Sequence, residues 1–578
     1  MELFIKTTRV KGFEYIKLVE SYRDNGTTRH RVLFNFGRAD LIKKDESFLR
    51  IVKRLCEVAG FRVADANSAS LPDDCGEATF YNYGYIAYRA LWHELGIQDC
   101  LEEVESTTKI SYSLPEAVFL MAVQHLLDPR SKLSAFQHQR QYFNMDEIDL
   151  HHMYRSLDIL CDNKEEIEAS LFECNYTRVH KQVDVVFYDV TTVSFESQAV
   201  DELRNFGFSK ECKFNEVQVV MGMIIDSDGI PVGYELFPGN TFDGKTMVKA
   251  LENIKKRFGI SRVIIVADRG LNSKGNLNLI KEAGYGYIMS SKIMGMSAAM
   301  REKILSPDGF TVVGDPVENG PEPSETGSFR YKVIPYENVF TDENKVKHTL
   351  SENLVISFSA ERARKDAADR RRLVEKARKL LEEPEKIKAS NKRGGKKYID
   401  LSNPDGAAVW KLAEERVQED AKFDGYYGIQ SSEKNMSAAE IMDAYATLWK
   451  IEESFRIMKT TLEVQPVFHW TEDRIHGHFV VCFLAFLMER RMELLLKDTE
   501  DRCVSSPERI REALMTAQLA AVSADGRERF IKAKVSPLAQ KIFKKLGLKM
   551  PANISEKDGI LALYNRLEGH VPTQLTIF

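Results

Sequence analysis

Hydrophobic and polar positions change rhythm several times along this chain. From Glu2 to Phe36 they alternate in three short runs broken by KGF and RDNGTT, which predicts a small antiparallel sheet. From Asp45 to about Arg178 the apolar residues recur every three or four positions, as in TFYNYGYIAYRALWHELGI and LPEAVFLMAVQHLL, so a helical region is expected there. Ser113 with Glu116 opens the second of these stretches as a capping box. From Val183 the strand texture returns in VDVVFYDVTTVSF and VQVVMGMIIDSDGIPVGYELFPGN, with Asp226-Ser-Asp-Gly229 as a hairpin turn. A helical TMVKALENIKKRFGI then crosses to the buried run RVIIVADRG, which reads as a parallel strand. Periodicity alone places this part among mixed α/β folds.

Between about Lys292 and Ala439 the pattern is interrupted. A Pro/Gly/Glu-rich loop, VGDPVENGPEPSETGS, precedes strand-like FRYKVIPYENVF and NLVISFS, a charged helix ERARKDAADRRRLVEKARKLLEEPEKI and the basic turn NKRGGKK. This predicts an insertion with its own small sheet. A second capping box, Ser437 with Glu440, starts a helix running towards Leu462, and more helix follows over His476–Leu496 and from Arg509 onward. The expected organisation is a sheet over 1–44, a helical region over 45–180, a core over 181–291 and 437–498 interrupted by a β-rich insertion over 292–436, and a helical C-terminal region over 499–578.

Composition narrows the classes. A chain of 578 residues is too long for one core, and 43% apolar with 29% charged residues is ordinary for a soluble multidomain protein. The longest apolar run, Phe479 to Met488, falls short of the roughly 20 residues a bilayer requires, and no leader pattern follows Met1, so a cytoplasmic protein is expected. Eight cysteines stand singly, which speaks against disulfides and zinc fingers. Net charge is −5, yet residues 1–60 carry a surplus of roughly five positive charges and 361–400 roughly seven, local faces of the kind that steer polyanions. In the first of these, Lys6, Arg9, Lys17, Arg23, Arg29 and Arg31 either follow a phosphate backbone or form a solvated sheet face. GxGxxG does not occur, and GNTFDGKT at Gly239–Thr246 matches GxxxxGK[ST] as a pattern alone, so no nucleotide cofactor is expected.

Three acidic residues carry the candidate chemistry: Asp189 in VVFYDVTTVSFES, Asp268 in RVIIVADRGLNS and Glu452 in YATLWKIEESFRIMK. Singly, each is more often a turn former, a strand exit or a solvated helix residue. Together, two strand ends and a helix are how a site for two divalent metals is assembled. On the helix, Leu448, Ile451, Phe455, Met458 and Leu462 form an apolar stripe, while Tyr445, Glu452 and Lys459 recur every seven residues along an adjacent face. Glu453 points about 100° away from Glu452 and is the weaker ligand. Arg456 either donates to a phosphate or pairs with Glu452.

The stretch Tyr445 to Lys459 resembles the tyrosine, arginine, glutamate, lysine signature of bacterial insertion-sequence DDE transposases. Leu448 stands where the signature has arginine. ESYRDNGTTRHRVLFNFG, DPRSKLS, GFSKE, LFPGNTFDGKTM and QPVFHWTEDRIHGHFVVCFLAF are also similar to one branch of that superfamily, in order and over nearly the whole chain. The resemblance implies a ribonuclease-H-like core in which Asp189, Asp268 and Glu452 bind two Mg²⁺ or Mn²⁺ ions, and cut-and-paste cleavage and joining of double-stranded DNA at terminal inverted repeats and target. It also implies DNA binding by residues 45–180, pairing of protomers through 499–578 in a homodimer on paired ends, nucleoid association when DNA-bound, and phosphate contacts from Tyr445 and Lys459. Arg456 or Lys450 would replace the missing arginine, and His478 is a further phosphate contact or a packed core residue. If the hairpin route is used, Trp410 or Phe423 would be the wedge, although both also read as core. His469, His476 and His478 lie close together, but HWTEDRIHGH has no recognised zinc spacing and no cysteine. A plain nuclease of the same fold and an inactive DNA-binding descendant are the alternatives.

Overall fold

The computed structural model describes residues 2–10, 12–24, 27–42, 45, 48, 50–52, 54, 79–179, 181, 183–207, 215–241, 246–260, 263–313, 329–341, 345–382, 394–402, 409–465, 467–497, 506–524 and 527–564. The Pro/Gly/Glu-rich loop from Gly314 to Ser328, the start of the basic turn at Asn391, most of GFSKE, and Cys56, Cys75, Cys212 and Cys503 lie outside the described residues. Two compact units divide the chain: residues 1–78 with 522–528, and residues 79–521 with 529–578.

In the first unit β1 (Glu2–Val10), β2 (Phe13–Asp24) and β3 (Thr27–Arg38) form an antiparallel sheet in chain order. The tight β1–β2 turn relies on Gly12 at φ +84°, a conformation costly for residues with a Cβ. Glu20 and Arg31 are register partners on β2 and β3 and form an ion pair at 2.6 Å. Arg9 likewise faces Glu14 at 4.0 Å, so Arg9 and Arg31 among the six sheet cations have internal partners, while Lys6 and Arg29 are exposed.

The second unit opens with β4 (Thr79–Asn82), a strand within a stretch expected to be helical. Helices α1 (Ile86–Glu94), α2 (Ile97–Ser106), α3 (Leu114–Leu127), α4 (Lys132–His138), α5 (Leu150–Asp162) and α6 (Lys164–Phe172) follow. The Ser113 hydroxyl caps α3 by accepting from the Glu116 N–H, but the Glu116 carboxylate turns to Arg89 at 2.5 Å, so only half of the expected box forms. Next come β5 (Val185–Ser194), β6 (Gln218–Asp226), β7 (Pro231–Pro238), α7 (Met247–Lys256), β8 (Ile264–Ala267), α8 (Lys274–Glu282) and β9 (Gly286–Ser290). β5, β6 and β7 make an antiparallel meander, and β8 and β9 add parallel to β5 through helical crossovers. Every residue of β6 is buried, as a central strand covered on both faces demands.

The insertion contributes α9 (Ala298–Leu305), β10 (Thr311–Val313), β11 (Phe329–Thr341), β12 (Lys347–Phe358), α10 (Ala360–Glu382), β13 (Ile399–Ser402), β14 (Val409–Leu412), α11 (Glu414–Ala421) and β15 (Tyr426–Ser431). Its main strands do not form the separate sheet expected of them. They extend the central one, which runs β10-β11-β12-β15-β9-β8-β5-β6-β7, because β15 pairs with the open edge of β9; only β13 and β14 stand apart.

The remaining elements are α12 (Ala438–Ala446), α13 (Trp449–Arg456), α14 (Glu472–Leu496), α15 (Pro507–Met515), β16 (Gln518–Ala524), β17 (Arg527–Lys532), α16 (Pro537–Lys545), β18 (Ile554–Ser555) and α17 (Lys557–Tyr564). At α12 the Ser437–Glu440 box closes in both directions. The C-terminal region is not wholly helical as expected: β16, β17 and β18 join β4 in a four-stranded sheet. α14 is buried continuously from Gly477 to Arg490 and packs against α3, α5 and β7, which makes it the spine of the helical layer. Among the described residues no helix is long and apolar enough to cross a membrane.

Candidate active site

Asp189 is the fifth residue of β5 and Asp268 the first after β8. These strands are parallel neighbours with Val185, Val186 and Phe187 opposite Ile264, Ile265 and Val266. Continuing that register by two residues sets Asp189 level with Asp268 on one face of the sheet, on chains about 4.8 Å apart. The sequence expected both to end strands. β5 in fact continues to Ser194, and it is the ending of β8 beside Asp189 that opens the position.

The signature helix is not continuous. α12 and α13 are separated at Thr447–Leu448, where Leu448 N–H bonds to the Tyr445 carbonyl and Ile451 N–H to the Leu448 carbonyl, the spacing of a 3₁₀ turn. Each 3₁₀ residue advances about 20° further than an α residue, so Tyr445 leaves the face that a seven-residue spacing shares with Glu452. Its hydroxyl donates to Asp268 Oδ1 at 3.3 Å and lies 2.8 Å from the Tyr427 hydroxyl, which is 2.8 Å from Ser290 Oγ. Burial, then the neighbouring Tyr427, pushes the Tyr445 phenol up, so it stays protonated and able to donate. Beyond it, Asn272 Nδ2 donates to the Ser290 carbonyl at 2.8 Å and to Gln430 Oε1 at 3.1 Å. Tyr427, Ser290 and Asn272 were missed as supports because nothing local in the sequence links them; only the pairing of β15 with β9 does.

α13 packs on β5 through Ile451, Ser454 and Phe455. Glu452 is exposed beside that contact and makes no hydrogen bond or ion pair among the described residues. Glu453 is half-buried and faces Arg490 at 3.5 Å and Arg456 at 3.6 Å. Arg456 thus pairs with Glu453 rather than Glu452. Lys459 is half-buried in a π-helical turn, Ile457–Thr461, that ends the helix.

Other sequence candidates lie elsewhere. Lys450 Nζ donates to the Ser227 carbonyl in the β6–β7 turn, which the register, continued one residue past Val186–Asp226, places four residues, about 13 Å, down β5 from Asp189. Its ammonium is not directed at the carboxylates. Leu448 is buried in the 3₁₀ turn, so no donor replaces the signature arginine at that position. His478 is corrected from phosphate contact to core: it is 5% exposed and its Nε2 donates to the Val464 carbonyl at 3.2 Å. Trp410 packs on Ala377, Tyr398 and Ile399, and Phe423 is buried with Ile293 and Ile356, so neither aromatic is presented as a wedge. Trp449, one turn before Glu452, is instead 55% exposed; its spacing of three from Glu452 was the available signal. Beside the Asp268 loop, a groove of about 370 Å³ is lined by Arg269, Ser290, Lys292, Arg362, Arg370 and Tyr427 among others. Arg370 is paired with Asp424, and the Arg362 guanidinium lies 4.3 Å from the Tyr427 ring centre.

Two half-buried aspartates on adjoining strands and an exposed glutamate on the covering helix offer hard oxygen donors, the chemistry that fits a divalent metal. The family model of the transposase DDE domain matches residues 181–488, more than half of the chain, which therefore belongs to the DDE transposases, enzymes that cut DNA and transfer strands with divalent metal. Residues 3–65 match the N-terminal domain of the IS1634 family transposases, an insertion-sequence group. No curated protein matches the chain. Among solved structures it is similar to a piggyBac transposase synaptic complex with hairpin DNA, at 8% identity and TM-score 0.33, covering 87% of this chain and 89% of that one. It is similar also to a Mos1 transposase paired-end complex with left transposon end, at 13% identity and TM-score 0.14, over 34% of this chain and 63% of that one. Both likenesses are too distant to carry structural detail.

Proposed function

We propose that Asp189, Asp268 and Glu452 are the carboxylates with which this transposase cuts and rejoins the ends of its insertion sequence, on a ribonuclease-H-like core. The observation that carries the reading is the parallel register of β5 and β8, which levels the two aspartates under the helix bearing Glu452. The strand order β7-β6-β5-β8-β9, a meander followed by two parallel additions, supports the fold assignment.

Two Mg²⁺ or Mn²⁺ ions suit this donor set and, when bound, supply Lewis acidity at the scissile phosphate and an activated water or DNA 3′-hydroxyl. The protein's own groups do the rest. Tyr445 fixes the orientation of Asp268 by donating to one of its oxygens. Glu453 holds α13 through Arg490, leaving its neighbour Glu452 to face outward. Arg269, Lys292 and Arg362 give the adjoining groove cations for a DNA backbone, and Lys459 and Arg456 extend that role along the helix. The products are the cut-and-paste set, with terminal inverted repeats and target as substrates and a homodimer to hold two ends.

Incubating the full chain and Mg²⁺ with linear DNA bearing the element's inverted repeats is expected to give paired-end cleavage followed by joining. Unspecific cutting would instead identify a plain nuclease, and retention without cutting an inactive DNA-binding descendant.

A further inference from the structure

We propose that His125, His478 and Cys482 form a buried site for one soft divalent cation of the zinc class, whose place the Lys132 ammonium takes when the metal is absent. The inference is independent of the carboxylate assignment. His125 lies near the end of α3, Lys132 starts α4, and His478 and Cys482 stand one turn apart on one face of α14. No sequence spacing announces the set, because His125 and Cys482 are 357 residues apart.

Both imidazoles have their tautomers fixed in the sense that metal binding requires. His125 Nδ1 faces the Leu462 carbonyl at 2.8 Å and His478 Nε2 the Val464 carbonyl at 3.2 Å. A carbonyl oxygen only accepts, so those nitrogens carry the protons and the lone pairs are at His125 Nε2 and His478 Nδ1. Histidines that ligate metals are oriented by such second bonds. Cys482 Sγ lies 3.9 Å from each of these two nitrogens, and 3.6 Å from His478 Nε2. A tetrahedral zinc with Zn–S near 2.3 Å and Zn–N near 2.0 Å needs about 3.5 Å between sulfur and nitrogen. A contraction of about 0.4 Å brings both sulfur–nitrogen separations to that value, and His469 lies beside the cluster with its ring centre 5.1 Å from that of His478.

A cation already sits at the edge of this cluster. Lys132 Nζ is 2.9 Å from His125 Nε2, and among the described residues no carboxylate pairs with it, although the side chain is buried. Burying an ammonium without a counter-charge is costly, and a metal that takes its place removes that cost. On binding, the Cys482 S–H bond breaks, a metal–sulfur bond forms and the proton leaves to buffer. Soft nitrogen and sulfur donors separate this site from the oxygen-lined face where Mg²⁺ or Mn²⁺ is expected. The metal would tie α3 and α14 to the Leu462–Val464 segment that follows the signature helix.

The test uses the chelator-treated full chain titrated with Co²⁺. One equivalent should produce tetrahedral visible absorption and a thiolate-to-cobalt charge-transfer band, both erased by Zn²⁺. Cys482→Ser should lose the charge-transfer band, Lys132→Met should keep it and bind at least tenfold more tightly, and Asp189→Asn should leave it unchanged. Should Cys482→Ser fail to fold, the wild-type and Lys132→Met spectra decide. Absence of the band from both overturns the site and leaves a hydrogen-bonded core centred on Lys132; a band that persists in Cys482→Ser assigns the thiolate elsewhere and overturns it equally.

Discussion

Carboxyl groups occupy two opposite settings in this protein. At the end of the central sheet Asp189 and Asp268 are half-buried and Glu452 is exposed. Between α1 and α14, Glu489 is 2% exposed and accepts from the Tyr88 hydroxyl at 2.5 Å; burial, reinforced by Glu493, pushes it up to about 8. Glu493 is pushed up to about 7 by burial against the opposing pull of Arg490. The buried pair favours its protons, because a charge there has neither water nor enough compensating cation. The sheet-end set remains open to solvent, ions and a polyanion. The same functional group is thus shut from water in one layer and half-buried or exposed in the other, and solvent exposure makes the difference.

The largest effect should come from neutralising the open set. Asp189→Asn, Asp268→Asn and Glu452→Gln should each lower single-turnover DNA cleavage by at least about 10³-fold, equivalent to ~4 kcal/mol at the transition state, while a gel-shift assay shows end binding retained. Glu453→Gln is the internal contrast. It removes the ion pair with Arg490 and lowers stability by about 1–2 kcal/mol, but cleavage by the folded variant should remain within about twofold. A folded Glu453→Gln protein as inactive as Glu452→Gln would reverse the choice of ligand.

The closed set predicts a pH effect of intermediate size. Glu489 has a folded value of about 8 against 4.5 for the ordinary group. Between those values the folded chain keeps a proton that the unfolded chain has released, so this contribution to stability is full below about pH 4.5 and is lost as pH rises through about 8. Glu489→Gln retains an acceptor for Tyr88 and has no proton to lose. Its thermal unfolding midpoint should fall less steeply from about pH 5 to pH 8 than that of the wild type. Equal slopes in the two proteins would mean that Glu489 titrates as an open carboxylate does, and the contrast between the layers would fail.

Sequence reading reached the open set better than the closed one, for a physical reason. Asp189, Asp268 and Glu452 each terminate or decorate a periodic element, so local pattern gives their setting, and the register of one helix separates Glu452 from Glu453. The closed layer is built by contacts between distant segments: Glu489 meets Tyr88 across 401 residues, and His478 meets His125 across the gap between α3 and α14. No local period reports such contacts, which is why the sequence leaves His478 between a phosphate contact and a packed core residue. The insertion was legible as strands and a charged helix, but its joining of the central sheet depends on β15 finding the edge of β9. The 3₁₀ turn at Leu448 was hidden because the apolar stripe continues through it.

The smallest predicted effect lies where the open set is braced. At 3.3 Å the Tyr445 hydroxyl makes a long hydrogen bond to Asp268, and the same hydroxyl is within 2.8 Å of Tyr427. On the proposed assignment, the bond would fix which Asp268 oxygen faces a metal and would supply no ligand of its own. Tyr445→Phe should therefore lower single-turnover cleavage by about fivefold, ~1 kcal/mol, and raise the Mg²⁺ concentration needed for half-maximal rate. Tyr427→Phe should reproduce part of this, because it frees Tyr445 without touching Asp268. A loss as complete as that of Asp268→Asn would place the phenol in the chemistry itself, whereas an unchanged Mg²⁺ dependence would reduce the tyrosine pair to packing between β15 and α12.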